Sequence, residues 1–139
     1  QHHAARHFRG NTYSHRDWVQ TDARRARLQH QWAAFFERFD ILVCPVATTP
    51  AFAHNQAGER WDRMIPVNSH TQPSTDALFW AGYPGIVGLP ATAIPLGLSP
   101  QGLPVGAQVI APAFADPLGL RFARFVEDGL RRFVAPPGL

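Results

Sequence analysis

Apolar residues recur along this chain first at helical spacing, then as one unbroken run, and finally in alternation. Residues 2–9 read as the end of a helix, with Gly10 as its left-handed stop. Ser14 suits an N-cap, and Asp17 falls in the first turn, where an acid complements the helix dipole. A helix is predicted from there to about Arg38. Trp18, Leu28, Trp32, Phe35, Phe36 and Phe39 supply its apolar stripe, and Arg16, Arg24, Arg25, Arg27 and Arg38 fall mostly on the other side.

The period then changes. Residues 39–46 are almost continuously apolar, the pattern of a strand buried on both faces, and Pro45 removes a backbone donor where that strand ends. Residues 47–73, with Pro50, Gly58, Pro66 and Pro73, read as a long irregular connection that Phe52 and Trp61 keep ordered. Ser74 is expected to cap a helix over 76–81, which Gly82 and Pro84 end. Residues 91–97 and 103–111 alternate as two strands of a hairpin, joined by Ser99, Pro100 and Gly102. Asp116 before Pro117 predicts a helix start, and Leu118, Phe122, Phe125, Val126, Leu130 and Phe133 are its expected buried face. The order is helix, strand, loop, helix, hairpin, helix: an α/β pattern in one segment, 1–139, with too few strands to close a sheet.

Charge refines this picture. Charged residues make up 17% of the 139, low against about 25% in ordinary domains, so an unusual share of the chain faces other protein. All thirteen basic residues are Arg, and there is no Lys. Residues 1–38 carry a net +4, residues 39–120 a net −3 and the rest +2. The basic residues lie on helical segments without groove-reading motifs, so no nucleic-acid partner is expected. No apolar run is long enough to span a membrane. The lone Cys44 excludes an internal disulfide and a multi-cysteine zinc site, and fits a reducing, cytoplasmic setting. The chain begins without Met, as if cut inside a longer protein.

Candidate chemistry is thin. Cys44 lies in an apolar strand and reads as a small buried hydrophobe. His3 and His7, four apart, lack a third ligand, so no metal is expected. Gly82, Gly85 and Gly88 recur every three residues, which is neither a dinucleotide fingerprint nor a lysine-bearing phosphate loop; no cofactor is expected. Ser14, Ser69, Ser74 and Ser99 are isolated, and none lies in a nucleophile elbow.

Four segments in order nevertheless resemble one family. Residues 35–46 (FFERFDILVCPV) are similar to the strand with which amidase signature hydrolases follow a long helix. Residues 79–92 (FWAGYPGIVGLPAT) resemble their Gly-Pro turn, and 94–97 (IPLG) with 102–110 (GLPVGAQVI) their hairpin. Residues 116–127 match their closing helix. The resemblance implies the C-terminal part of a mixed sheet covered by helices, incomplete as given. It also implies an amide hydrolase working through a Ser, a cis-Ser and a Lys with backbone oxyanion donors. None of those three residues can be assigned here, so the expected catalytic set in this chain is empty. What the chain would supply is the sheet core and part of a substrate-pocket wall. Thr48, Thr49 and Phe52 follow the C-terminal end of the buried strand, where α/β sheets place ligands, and Trp80 lies on the helix that could face them. The implied partners are a small-molecule amide substrate and the missing N-terminal part of the domain, and a homodimer is left open. Two alternatives stand beside this reading. One is the C-terminal part of the amide-hydrolysing subunit of a tRNA-dependent amidotransferase. The other is a non-catalytic binding or structural remnant.

Overall fold

A computed structural model describes residues 3–130 and 132–135. Two helices open the chain, α1 (His3–Asn11) and α2 (His15–Phe36). Gly10 is not the stop expected of it: the helix runs through it to Asn11, and no left-handed φ occurs there. Ser14 caps α2, its hydroxyl oxygen accepting the Asp17 amide at 3.2 Å while its proton goes to the Asp17 carboxylate at 2.6 Å. The helix ends at Phe36, short of Arg38. Its stripe is only half covered: Trp32, Phe35 and Phe36 are partly buried, whereas Trp18, Leu28 and Phe39 are exposed.

A three-stranded sheet follows in the order β1 (Leu42–Pro45), β5 (Pro104–Ile110), β4 (Ala91–Leu98), all pairings antiparallel. β4 and β5 form the expected hairpin, closed by the Ser99 amide donating to the Leu103 carbonyl at 2.8 Å. One extra residue, Leu96, bulges from β4 between Pro95 and Gly97. Within this chain the continuously buried strand is β5 rather than the one at 39–46. β1 is only four residues long, and within this chain Cys44 alone is buried while Val43 stays 46% exposed. β5, flanked on both sides, buries Ala107, Gln108, Val109 and Ile110 in succession.

Helix α4 (Asp116–Gly129) lies on one sheet face, where Val126 meets Ile94, Ala107 and Val109, with Ile41, Phe122 and Ala123 packed around them. Pro117 occupies its first turn as expected, but Asp116 lies inside the helix and Ala115 is the cap, with no side-chain bond. The helix ends at Gly129, so Leu130 and Phe133 are exposed; Phe125 points outward, away from the sheet. Full burial of a side chain such as Val109 or Ile110 contributes about 1.5–3 kcal/mol.

The connection 47–73 is more ordered than its composition suggests. Met64–Val67 (β2) and His70–Pro73 (β3) pair as a second small sheet about Asn68, which takes the left-handed conformation at φ 53°. Ser74 caps nothing; its hydroxyl donates to the Arg60 carbonyl at 3.3 Å. Ser74–Leu78 is a 3₁₀ turn, and α3 (Phe79–Val87) follows it, running through Gly82 and Pro84 to a left-handed Gly88. The Leu89 amide donates back to the Pro84 carbonyl at 3.0 Å, the six-to-one bond of a glycine-terminated helix. Helix α4 thus covers one face of the sheet and α3 is bonded to it through Gln108, while among the described strands the outer ones each pair on one side only, an α/β arrangement.

Candidate functional site

An aromatic concavity lies between α2 and α3. Leu28 and Trp32 of α2 face Phe79, Tyr83 and Ile86 of α3 across a cavity of about 700 Å³. Trp32 meets Tyr83 edge-on at 5.9 Å, and Phe79 meets Tyr83 at 5.0 Å. Polar groups enter on one side only. Gln72 of β3 donates to the Thr48 hydroxyl at 3.1 Å, and Thr75 and Asp76 of the 3₁₀ turn lie beside them. An apolar, aromatic cleft with a few convergent polar groups has the composition of a small-molecule site. Its back is pinned by Gln29 of α2, whose amide donates to the Val87 carbonyl at 3.1 Å.

The four residues singled out from the sequence are distributed around this region. Thr48 lines the main cavity and, with Thr49, also a smaller one of about 360 Å³ against Pro104, Val105 and Gly106. Phe52 lines a third cavity of about 720 Å³ with Ile65, Met64 and Ala77. Trp80 packs its ring against Phe79 at 5.3 Å, and its carbonyl accepts a hydrogen bond from Gln108 at 2.8 Å. Trp32, Tyr83 and Gln72 also wall the main cavity, and the sequence pattern does not mark them as site residues. It places the first two in a core stripe and a turn, and Gln72 in an irregular stretch. Gln108 is legible as the one amide within an apolar alternation.

Among the described residues, no Ser, His, Cys or Lys side chain lines this cleft. Cys44 is 8% exposed. Burial pushes its thiol up, and a hydrogen bond from Gln108 partly opposes this. A raised pKa lowers the thiolate fraction, and the thiolate is the nucleophile. His15 stacks on Trp18 and His7 packs on Trp61. The His3 side chain of the candidate pair lies outside the described residues. Among the described residues no three His, Cys, Asp or Glu side chains gather into a metal site. None of their helices is long and apolar enough to cross a membrane.

Residues 1–120 match the model of the family described as Amidase. Over 111 residues, 77% of the chain, it is 34% identical to the glutamyl-tRNA(Gln) amidotransferase A-subunit of Acidothermus cellulolyticus, covering 19% of that protein. Over 80% of the chain it is 30% identical to a fatty acid amide hydrolase of Medicago truncatula, covering 18% of it. A solved amidase superposes on 87% of the chain with a TM-score of 0.70 at 23% identity, a likeness of fold, and the chain covers 26% of it. The chain therefore spans about a fifth of the length of the curated relatives it matches. The strand, turn and hairpin motifs that build β1, α3 and β5 fall within the matched residues, and the chain belongs to the amidase family.

Proposed function

We propose that this chain is the C-terminal portion of an amide-hydrolysing enzyme, supplying the central strand and one wall of its substrate pocket. What supports the reading is a pairing of opposites: an aromatic cleft with one wall formed by the amidase-like segment 79–92, in a chain without a single lysine. Within this proposal Thr48 and Thr49 present hydroxyls to the amide, Phe52 and Trp80 contribute apolar wall, and the Ser, cis-Ser and Lys come from the preceding part of the same domain. Amide cleavage needs a nucleophile to activate. General-base assistance alone supplies about 10²–10⁴-fold, too little for a bond this slow to hydrolyse. The test is release of p-nitroaniline from p-nitroacetanilide. The chain alone is expected to match a buffer blank, and the chain joined to its upstream part to turn over, with KM raised by Thr48→Val. Turnover by the chain alone that Cys44→Ala abolishes would overturn the proposal.

The identity to the tRNA-dependent amidotransferases favours a second reading, in which the same wall belongs to one component of such a complex. Hydrolysis of glutamine that rises on adding partner proteins and tRNA would select it over a free-standing amidase. A cytoplasmic location accords with both readings.

A further inference from the structure

Gln108 is the one buried polar side chain among the described residues, 5% exposed between Ala107 and Val109. An amide in such a place persists only with partners. Its Nε2 donates to two carbonyls, that of Pro45 at 3.1 Å and that of Trp80 at 2.8 Å. The second needs this donor for a covalent reason. In a regular helix the Trp80 carbonyl accepts the amide of residue 84, but here residue 84 is Pro, inside α3, and has no N–H. The helix forgoes one of its own bonds and takes a replacement from the central strand. The Pro45 carbonyl closes β1, three residues before Thr48. A single side chain therefore ties α3 and the segment leading to Thr48 to one point on β5. These are two of the walls of the 700 Å³ cavity, which Gln108 itself does not line. The geometry points to Gln108 as a positioning residue that sets the spacing of the cavity walls by fastening α3 to the sheet through the carbonyl Pro84 leaves free. The inference rests on the proposed function only in taking that cavity to receive the substrate.

A double-mutant cycle in the full-length enzyme that carries this chain separates positioning from simple satisfaction of a carbonyl. Pro84→Ala restores the helical donor to Trp80 but not the tie to the sheet. Gln108→Leu is expected to lower Tm and to raise KM for p-nitroacetanilide roughly five- to tenfold, with kcat within about twofold. In the Pro84→Ala background the loss of Tm on removing Gln108 should shrink to roughly half, because the Trp80 carbonyl is no longer orphaned. The rise in KM should persist, because the walls are still untied. Gln108→Met, of similar length and without donors, serves where Gln108→Leu does not fold. KM that recovers together with Tm, or that never rises, overturns the positioning role. An equal loss of Tm in both backgrounds overturns the link through Trp80. If the unsubstituted enzyme hydrolyses no amide, the proposed function fails, while the thermal cycle still decides whether the tie exists.

Discussion

Single residues carry most of what can be checked quickly. Cys44 should resist a maleimide in the native full-length protein and react at once in denaturant; rapid native labelling would show that β1 opens. Its raised pKa also fixes a sign. The folded state holds the thiol proton to higher pH than the unfolded chain. The associated stability is whole below the ordinary cysteine value, about 8.5, and is lost as pH rises through that value toward the folded one. Denaturant melts between neutral and alkaline pH should show this decline, and Cys44→Ala should flatten it. Gly106 offers a steric test. A Cβ there would meet the Ile94 backbone oxygen at 2.9 Å, and neither strand of the hairpin can yield. Gly106→Ala should cost about 1–3 kcal/mol, read from thermal unfolding; an unchanged Tm would mean that the strands separate freely at that point. The burial of Cys44 is visible in the sequence because its neighbours are apolar. The tie made by Gln108 is not, because it joins residues far apart in the chain.

Secondary-structure elements follow the sequence wherever local rules suffice. Ser14 and Asp17 start α2, and the alternation about Gly102 forms the β4–β5 hairpin. Ser14→Ala should lower the stability of α2 by about 1 kcal/mol, visible as lost helical circular dichroism on mild heating, whereas Ser14→Asp should retain it. Gly88, at φ 71°, holds the left-handed end of α3. Sequence reasoning fails where a long-range bond overrides a local preference. Pro84 normally ends a helix, yet α3 passes through it because a strand supplies the substitute for the missing bond. The β2–β3 hairpin is illegible because Pro66 and Pro73 occupy its strands and its turn carries Asn68 without the expected glycine. Period alone puts Phe125 in the core, but α4 has only one face on the sheet.

At the scale of the molecule, coverage is uneven. α4 covers β4 and β5 but leaves Val43 of β1 bare, and the outer edges of β1 and β4 carry unpaired backbone groups among the described strands. Such edges recruit other strands. The isolated chain should elute as broad, concentration-dependent assemblies in size-exclusion chromatography, sharpening when the preceding part of the domain is supplied in trans. A single cooperative monomer would instead favour a self-standing binding module. The place of β5 in the middle of the sheet also sets a folding order. One of its partners is its hairpin neighbour; the other is reached across 63 residues, the separation of Pro45 from Gln108. The entropy of closing a loop grows with its length, so the hairpin and the α4 helix that packs on it assemble first and β1 docks onto a platform already made. Substitutions among Ile94, Val109 and Val126 would then slow folding, while those at Leu42 and Cys44 would chiefly hasten unfolding. The strand that leads to the cavity is expected to arrive after that platform forms and to leave before it comes apart.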